Sequence, residues 1–354
     1  MLFHLDDEQE MIANAMRRLV GDLAGRRRAA VDTEKAFDLP SWEALMAAGV
    51  GAMMLPAALN GGDTGALEAA LAFECIGEGA VPGPFVSQLL VGVAIALHGN
   101  KALVERWAAD LGAGRMKGLI VLRSPESLGT DWPIAANDRV SGVVDAVPGT
   151  VGTDVILLET ADDRLVVLDA RDRGVSLHAV AGSDLTRGLV SLILDEAPFH
   201  ELSADGVARE RLRDLALILI AADALGGAQA CLDRSVAYAQ TRHQFGRVIG
   251  SFQAVKYQLA RMAVEVETGR PLLWYAAHAW DAALPDAPRA AAHAKAHLTD
   301  RFVSVARAAI ELHGGYGYTW ECDLHLWLRR SLFDRAYLGG PSIHRERAAK
   351  FGGW

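Results

Sequence analysis

Three groups of residues have the types and spacing to do chemistry. Thr241-Arg242-His243-Gln244-Phe245-Gly246 lies between two long stretches of helical apolar periodicity. An Arg there can clamp an anion, since its planar fork of donors matches a phosphate, and a nearby Phe offers a flat apolar face to a ring. The same residues also make an ordinary inter-helix turn whose Arg suits the negative end of a helix dipole. Both readings stand on the residues alone. His293 and His297 sit four apart on one helical face. A metal there would need a third ligand, and no Glu follows the first His as in zinc peptidases. They read as polar residues on an Ala-rich helix, and no metal is expected. Gly314-Gly315-Tyr316-Gly317 is glycine-rich enough for a phosphate loop. A dinucleotide fingerprint follows a strand and opens a helix, whereas this run closes a helix. It reads as a sharp stop at which a ligand can approach the backbone.

The elements that must position these residues fall into three zones. From about Leu5 to Lys117 the chain is Ala-rich and helical: Asp6 and Gln9 resemble a capping start, and Ile12, Met16, Leu19 and Leu23 follow at steps of three and four. Leu55-Pro56 with Asn60-Gly61-Gly62, and later Val81-Pro82-Gly83-Pro84, stop helices. From about Gly118 to Ser203, short β-branched runs appear at 119–122, 154–158, 165–168 and 189–194, each bounded by turn residues. From about Ala204 onward the pattern is helical again. Phe252, Val255, Leu259, Met262 and Val266 form one stripe, and Leu298, Phe302, Val305, Ala309 and Leu312 another, which ends at Gly314-Gly315. The expected fold is α+β: an N-terminal α-helical domain (1–117), a middle β domain forming a small barrel or sandwich (118–203), and a C-terminal antiparallel four-helix bundle (204–354).

Composition removes several classes. Hydrophobic residues make up 51% of the 354 and charged ones 22%, which excludes a disordered chain. A formal net charge of −9 leaves no basic face for a nucleic acid. Cys75, Cys231 and Cys322 are far apart and without CxxC spacing, so neither a disulfide framework nor a thiolate zinc site is expected, and a cytoplasmic location fits. The first ten residues carry Asp6, Asp7, Glu8 and Glu10, the opposite of a basic signal-peptide start. Leu215 to Leu225, interrupted only by Asp223, is shorter than a bilayer span and reads as a buried helix, so no membrane partner is expected.

With these residues laid out, the chain resembles the acyl-CoA dehydrogenase family. The resemblance rests on Tyr238 to Gly246 (YAQTRHQFG), Ile249 to Met262 (IGSFQAVKYQLARM), Ile310 to Thr319 (IELHGGYGYT) and Arg329-Arg330, in the family's order and separations. Trp42 to Gly62 is similar to the family's first-domain segment. The resemblance implies FAD, an acyl-CoA thioester substrate, and α,β-dehydrogenation to a trans-2-enoyl thioester. It implies a carboxylate that takes the α proton while the β hydrogen leaves as hydride to the flavin. It also implies an oligomer, tetrameric in the family, and an electron-transferring flavoprotein as acceptor. The positions that contact FAD across a subunit interface in the family fall here on Arg242, Phe245, Gln253 and Glu311 through Gly314 and Gly315.

Three departures shape the expectation. The family's catalytic Glu falls on Leu338, and an apolar side chain removes no proton. The family's alternative base falls near Ala216; Asp214 is two residues away on nearly the opposite helix face, and Asp223 lies two turns along, so no catalytic residue is assigned. The flavin-contact sequence that opens the β domain is degenerate here (Ser124 to Asp131), leaving Ser124 and Thr130 as hydroxyl donors. Ala181-Gly182-Ser183-Asp184 matches its letters about fifty residues too late and reads as a turn. The family's aromatic residue against the flavin falls on Ala146, and the hydroxyl near its reactive edge on Pro148, which has no N–H. By this resemblance, what is eroded is the part a subunit builds for its own flavin. What survives is the part it offers to its neighbour's. The leading expectation is therefore an acyl-CoA dehydrogenase-like subunit of a heteromeric enzyme, acting on a bulky CoA thioester such as a steroid fragment, whose partner supplies the base. The alternatives are a self-sufficient homotetramer with a displaced base, Asp214 or Asp223, and a non-catalytic acyl-CoA-binding scaffold.

Overall fold

Asp6 opens the first helix through a capping box. Its carboxylate accepts from the Gln9 backbone N–H at 2.9 Å, and the Gln9 side chain accepts from the Asp6 N–H at 3.1 Å. The computed structural model describes residues 4–32, 36–124 and 132–353. In chain order the elements begin with helices α1 (Asp7–Asp22), α2 (Arg26–Asp32), α3 (Leu39–Ala47), α4 (Ala66–Glu78) and α5 (Phe85–His98). The short α6 (Lys101–Leu103) and α7 (Ala109–Gly112) flank a π-helical turn at Val104–Ala108. Eight strands follow: β1 (Gly118–Val121), β2 (Ile134–Ala136), β3 (Arg139–Pro148), β4 (Val155–Glu159), β5 (Leu165–Asp169), β6 (Val175–Val180), β7 (Leu189–Pro198) and β8 (His200–Glu201). Then come α8 (Gly206–Thr241), a small hairpin of β9 (His243–Gln244) and β10 (Arg247–Val248), and helices α9 (Gln253–Glu267), α10 (Arg270–Asp281), α11 (Ala287–His313), α12 (Leu324–Ala336) and α13 (Pro341–Phe351). Helical N- and C-terminal parts with a β region between them are the fold the sequence implied.

The described residues form two compact units. One takes in the described residues of 25–69 and 82–216. Here β1-β4-β5-β8 form one sheet, with β1 parallel to β4, and β2-β3-β7-β6 form an antiparallel second sheet. Leu119, Ile156 and Val166 share a buried core with Val140, Val190 and Leu192 of the other sheet. The four runs legible in the sequence are β1, β4, β5 and β7. Strand β3 escaped notice because it is kinked: Gly142 has φ +149°, and the register with β7 shifts between Val140 and Gly142 and again between Val144 and Val147. Strand β6 lies at the sheet's edge and exposes most of its residues, so it shows no apolar run.

The other unit takes in residues 4–24, 70–81 and 217–353. Its core is the α11 stripe, with Leu298, Phe302, Val305 and Ala309 at or near zero exposure. The 36-residue α8 is apolar over a long window, of which 94% is buried inside the protein, so that hydrophobicity belongs to the core. Glycine lets α4 and α8 touch backbone to backbone. A Cβ on Gly226 would stand 1.7 Å from the Glu74 carbonyl oxygen, and one on Gly77 would stand 2.0 Å from that of Asp223. Neither backbone can give way without moving its helix. Gly226→Ala should therefore cost about 3 kcal/mol or more in urea unfolding. Gly21→Ala, on an open face of α1, should instead gain about 0.5–1 kcal/mol.

Candidate functional site

The motif 241–246 sits where α8 ends. Tyr238, on the last turn of α8, stacks on His313 at 4.2 Å between ring centroids and lies near-parallel to Tyr316 at 6.1 Å. Those rings flank the Gly314-Gly315 stop of α11, so the ends of α8 and α11 are joined. Arg242 closes the base of the hairpin, its carbonyl accepting from the Ile249 N–H at 2.8 Å. At the tip, Phe245 (φ +52°) and Gly246 (φ +77°) are both left-handed, the signature of a two-residue type I′ turn. An aromatic residue in that backbone region is unusual and strained. The Phe245 ring stands out in solvent at 91% exposure, T-shaped to Phe252 at 6.1 Å and 87°.

Gln253 follows Phe252 as the first residue of α9, and Glu311 lies one turn before the α11 stop. Gly314 takes φ +62°, and a Cβ on Gly314 or Gly315 would meet no atom within 4 Å. Arg242, Phe245, Gln253, Glu311, Gly314 and Gly315 are all exposed. Phe245 thus lies against Phe252, which Gln253 follows in the chain, while Arg242 joins the hairpin to α8 through its backbone bond to the Tyr238 carbonyl. Among the described residues the Arg242 guanidinium has no ion-pair partner. The Tyr238 stack and Arg247 do not stand out in the sequence. Their one legible signal is that no Asp or Glu occurs between Asp233 and Glu265, a stretch carrying five Lys and Arg.

Leu338 lies just past α12 in a left-handed backbone (φ +58°) at 6% exposure. Its carbonyl accepts from His344 Nε2 at 3.1 Å, and the Gly339 carbonyl accepts from the fully buried Lys295 Nζ at 3.2 Å. The loop is firmly seated, but position 338 presents no titratable side chain. Burial, followed by the charges of Lys295 and Arg347, pushes the His344 pKa down from 6.5 to about 4. A folded-state value below the unfolded one means the unfolded chain binds the proton more readily. Stability present above about pH 6.5 should be lost as pH falls toward 4, by about 3 kcal/mol from this group. Urea midpoints between pH 7 and 4 should show this slope, and His344→Gln should flatten it.

Asp223 makes a bidentate pair with Arg330, at 2.8 Å to Nε and 2.5 Å to Nη2, with both side chains at 1% exposure. Both of its oxygens are engaged, which removes it as a candidate base. Asp214 is likewise buried at 1%. In the other unit, Ala146 sits in the β3 bulge with φ +57° and is exposed, while Pro148 ends the strand. Asp184 accepts from the Thr186 N–H at 2.9 Å and its hydroxyl at 2.7 Å, so Ala181–Asp184 is a structural turn between β6 and β7. Thr130 lies outside the described residues. His293 is exposed, and His297 is half-buried with its pKa lowered, by burial first and then by Arg301 and Arg345. No group of three metal-capable side chains occurs among the described residues.

Comparison with known proteins agrees across the chain. The acyl-CoA dehydrogenase C-terminal domain matches residues 207–352, and the N-terminal domain of the same family matches 6–115. Acyl-CoA dehydrogenase IpdE2 of Mycobacterium tuberculosis is 30% identical over 342 residues, covering 95% of this chain and 94% of its own. Among solved structures, the Tcur3481-Tcur3483 steroid ACAD variant aligns with a TM-score of 0.89 at 27% identity over 98% of both chains. The ChsE4-ChsE5 complex from Mycobacterium tuberculosis shares the fold with a TM-score of 0.89 at 24% identity, over 100% of this chain and 99% of that one. With both terminal domains matched and a relative of 30% identity along nearly its whole length, this chain belongs to the acyl-CoA dehydrogenase family, whose members bind FAD.

Proposed function

We propose that this chain is the non-catalytic subunit of a heteromeric acyl-CoA dehydrogenase, and that it completes the FAD site of a catalytic partner chain. The observation that carries the reading is a division between two sets of residues. The base position is Leu338, buried and firmly seated, whereas Arg242, Phe245, Gly314 and Gly315 remain open and exposed. The exposed set fits a dinucleotide. The guanidinium of Arg242 would neutralise a phosphate oxygen, and the outward ring of Phe245 would lie against a flat heterocycle. The space over Gly314 and Gly315 would let the cofactor's edge approach the backbone. The chain's own half does not fit as well, since Ala146 offers no aromatic face and Pro148 neither a hydroxyl nor an N–H.

FAD, when bound, supplies acceptance of the β hydrogen as hydride. This chain moves no proton at position 338, so the partner must supply the α-proton base. The substrate class proposed is an acyl-CoA thioester with a bulky, steroid-derived acyl group, in keeping with the similarity to the steroid ACAD variant. An electron-transferring flavoprotein is proposed as the acceptor and the cytoplasm as the location. Expression of the chain by itself should give no acyl-CoA dehydrogenation, and co-expression with a neighbouring acyl-CoA dehydrogenase-like chain should give an active hetero-oligomer. A homo-oligomer that dehydrogenates an acyl-CoA unaided would overturn the reading.

A further inference from the structure

The hairpin carries a second guanidinium that the resemblance assigns no role. Arg247 pairs in register with Gln244 across β9 and β10, and its Cζ lies 4.1 Å from the centroid of the Phe252 ring. That ring also makes a T-shaped contact with Phe245. Arg247 is exposed, and no carboxylate pairs with it among the described residues. Stacking covers one flat face of a guanidinium but leaves its in-plane N–H edge free, and that edge is the one that matches phosphate in a bidentate fashion. The stack also fixes the side chain's rotamers in advance, so less entropy is lost when an anion binds. Lys256 is likewise exposed, one turn into α9 from Phe252.

We propose that Arg247 is a further phosphate-binding residue of this site, held ready by Phe252 and acting beside Arg242 on a nucleotide's phosphates. The inference rests on the shared-site reading above and extends it. Two nucleotides in this chemistry carry such phosphates, FAD and the CoA moiety of the substrate, and the test separates them.

The experiment uses whichever FAD-holding assembly the chain forms, with a partner or with itself, after removal of the flavin. FAD and free CoA are titrated separately into the parent protein and into Arg247→Ala, Arg247→Lys and Arg242→Ala. Arg247→Ala should raise the Kd for one of the two nucleotides about tenfold or more. Arg247→Lys, which keeps the charge but loses the planar fork and the stack, should recover little of it. A rise for FAD alone assigns Arg247 to the flavin's diphosphate, and a rise for CoA alone assigns it to the substrate's phosphates. Lys101→Ala, exposed on α6 and paired there with Glu105, serves as the control and should leave both Kd values unchanged. If Arg247→Ala lowers thermal stability yet leaves both Kd values unchanged, the stack is only structural and the inference is overturned. If Arg242→Ala weakens FAD while Arg247→Ala does not, only this inference fails. If neither variant weakens FAD, the shared-site reading fails as well.

Discussion

Replacing Arg330 by Met should destabilise the C-terminal bundle by about 3–5 kcal/mol, enough to consume much of an ordinary domain's stability. Arg330 and Asp223 are each 1% exposed and joined by two hydrogen bonds, and Arg330 also donates to the Val81 carbonyl at 3.3 Å. Removing the cation takes both of these donors from a carboxylate buried to 1% exposure, where water cannot readily replace them. The double variant Asp223→Leu with Arg330→Met removes both charges and should regain most of the loss, because two apolar side chains suit that core. Urea unfolding of the single and double variants measures the difference. A near-neutral Arg330→Met would mean that the pair does not hold Asp223, and Asp223 would return as a candidate for the displaced base.

The second large effect is on the cofactor. Arg242→Ala should weaken FAD binding by the assembled enzyme by about ten- to a hundredfold, the range for removing a charge-assisted hydrogen bond of about 1.5–3 kcal/mol. Arg242 is exposed and its guanidinium carries no ion pair among the described residues, so the variant should fold as the parent does. Loss of FAD with unchanged urea stability is the expected combination, read by flavin fluorescence during dilution. Equal FAD retention in both proteins would remove Arg242 from the site.

Much of the fold was legible because it is written in local pattern. The Asp6 and Gln9 cap, the Gly314 stop and the strands β1, β4, β5 and β7 follow from residues within a few positions of each other. What was hidden depends on distant partners. Asp223 looked like an interruption in an apolar run, because Arg330 lies 107 residues away and only the fold brings them together. The α9 stripe promised a buried face, yet only Met262 and Val266 are buried, while Phe252, Val255 and Leu259 are half-buried beside the hairpin. Periodicity reports that a face is apolar; it does not report how much of that face the same chain covers. The bulge at Ala146 and the stack of Arg247 on Phe252 are likewise set by backbone geometry that no residue spacing encodes.

The most direct test of the shared-site account is the visible absorption spectrum of the chain purified after expression alone, set beside that of the chain co-expressed with a neighbouring dehydrogenase-like chain, with released nucleotide identified by mass spectrometry. The account expects a colourless protein in the first case and a flavin band from bound FAD in the second. One FAD per chain in the protein expressed alone would contradict it, and would mean that Ala146, Pro148 and Leu338 belong to a complete flavin site of this chain's own.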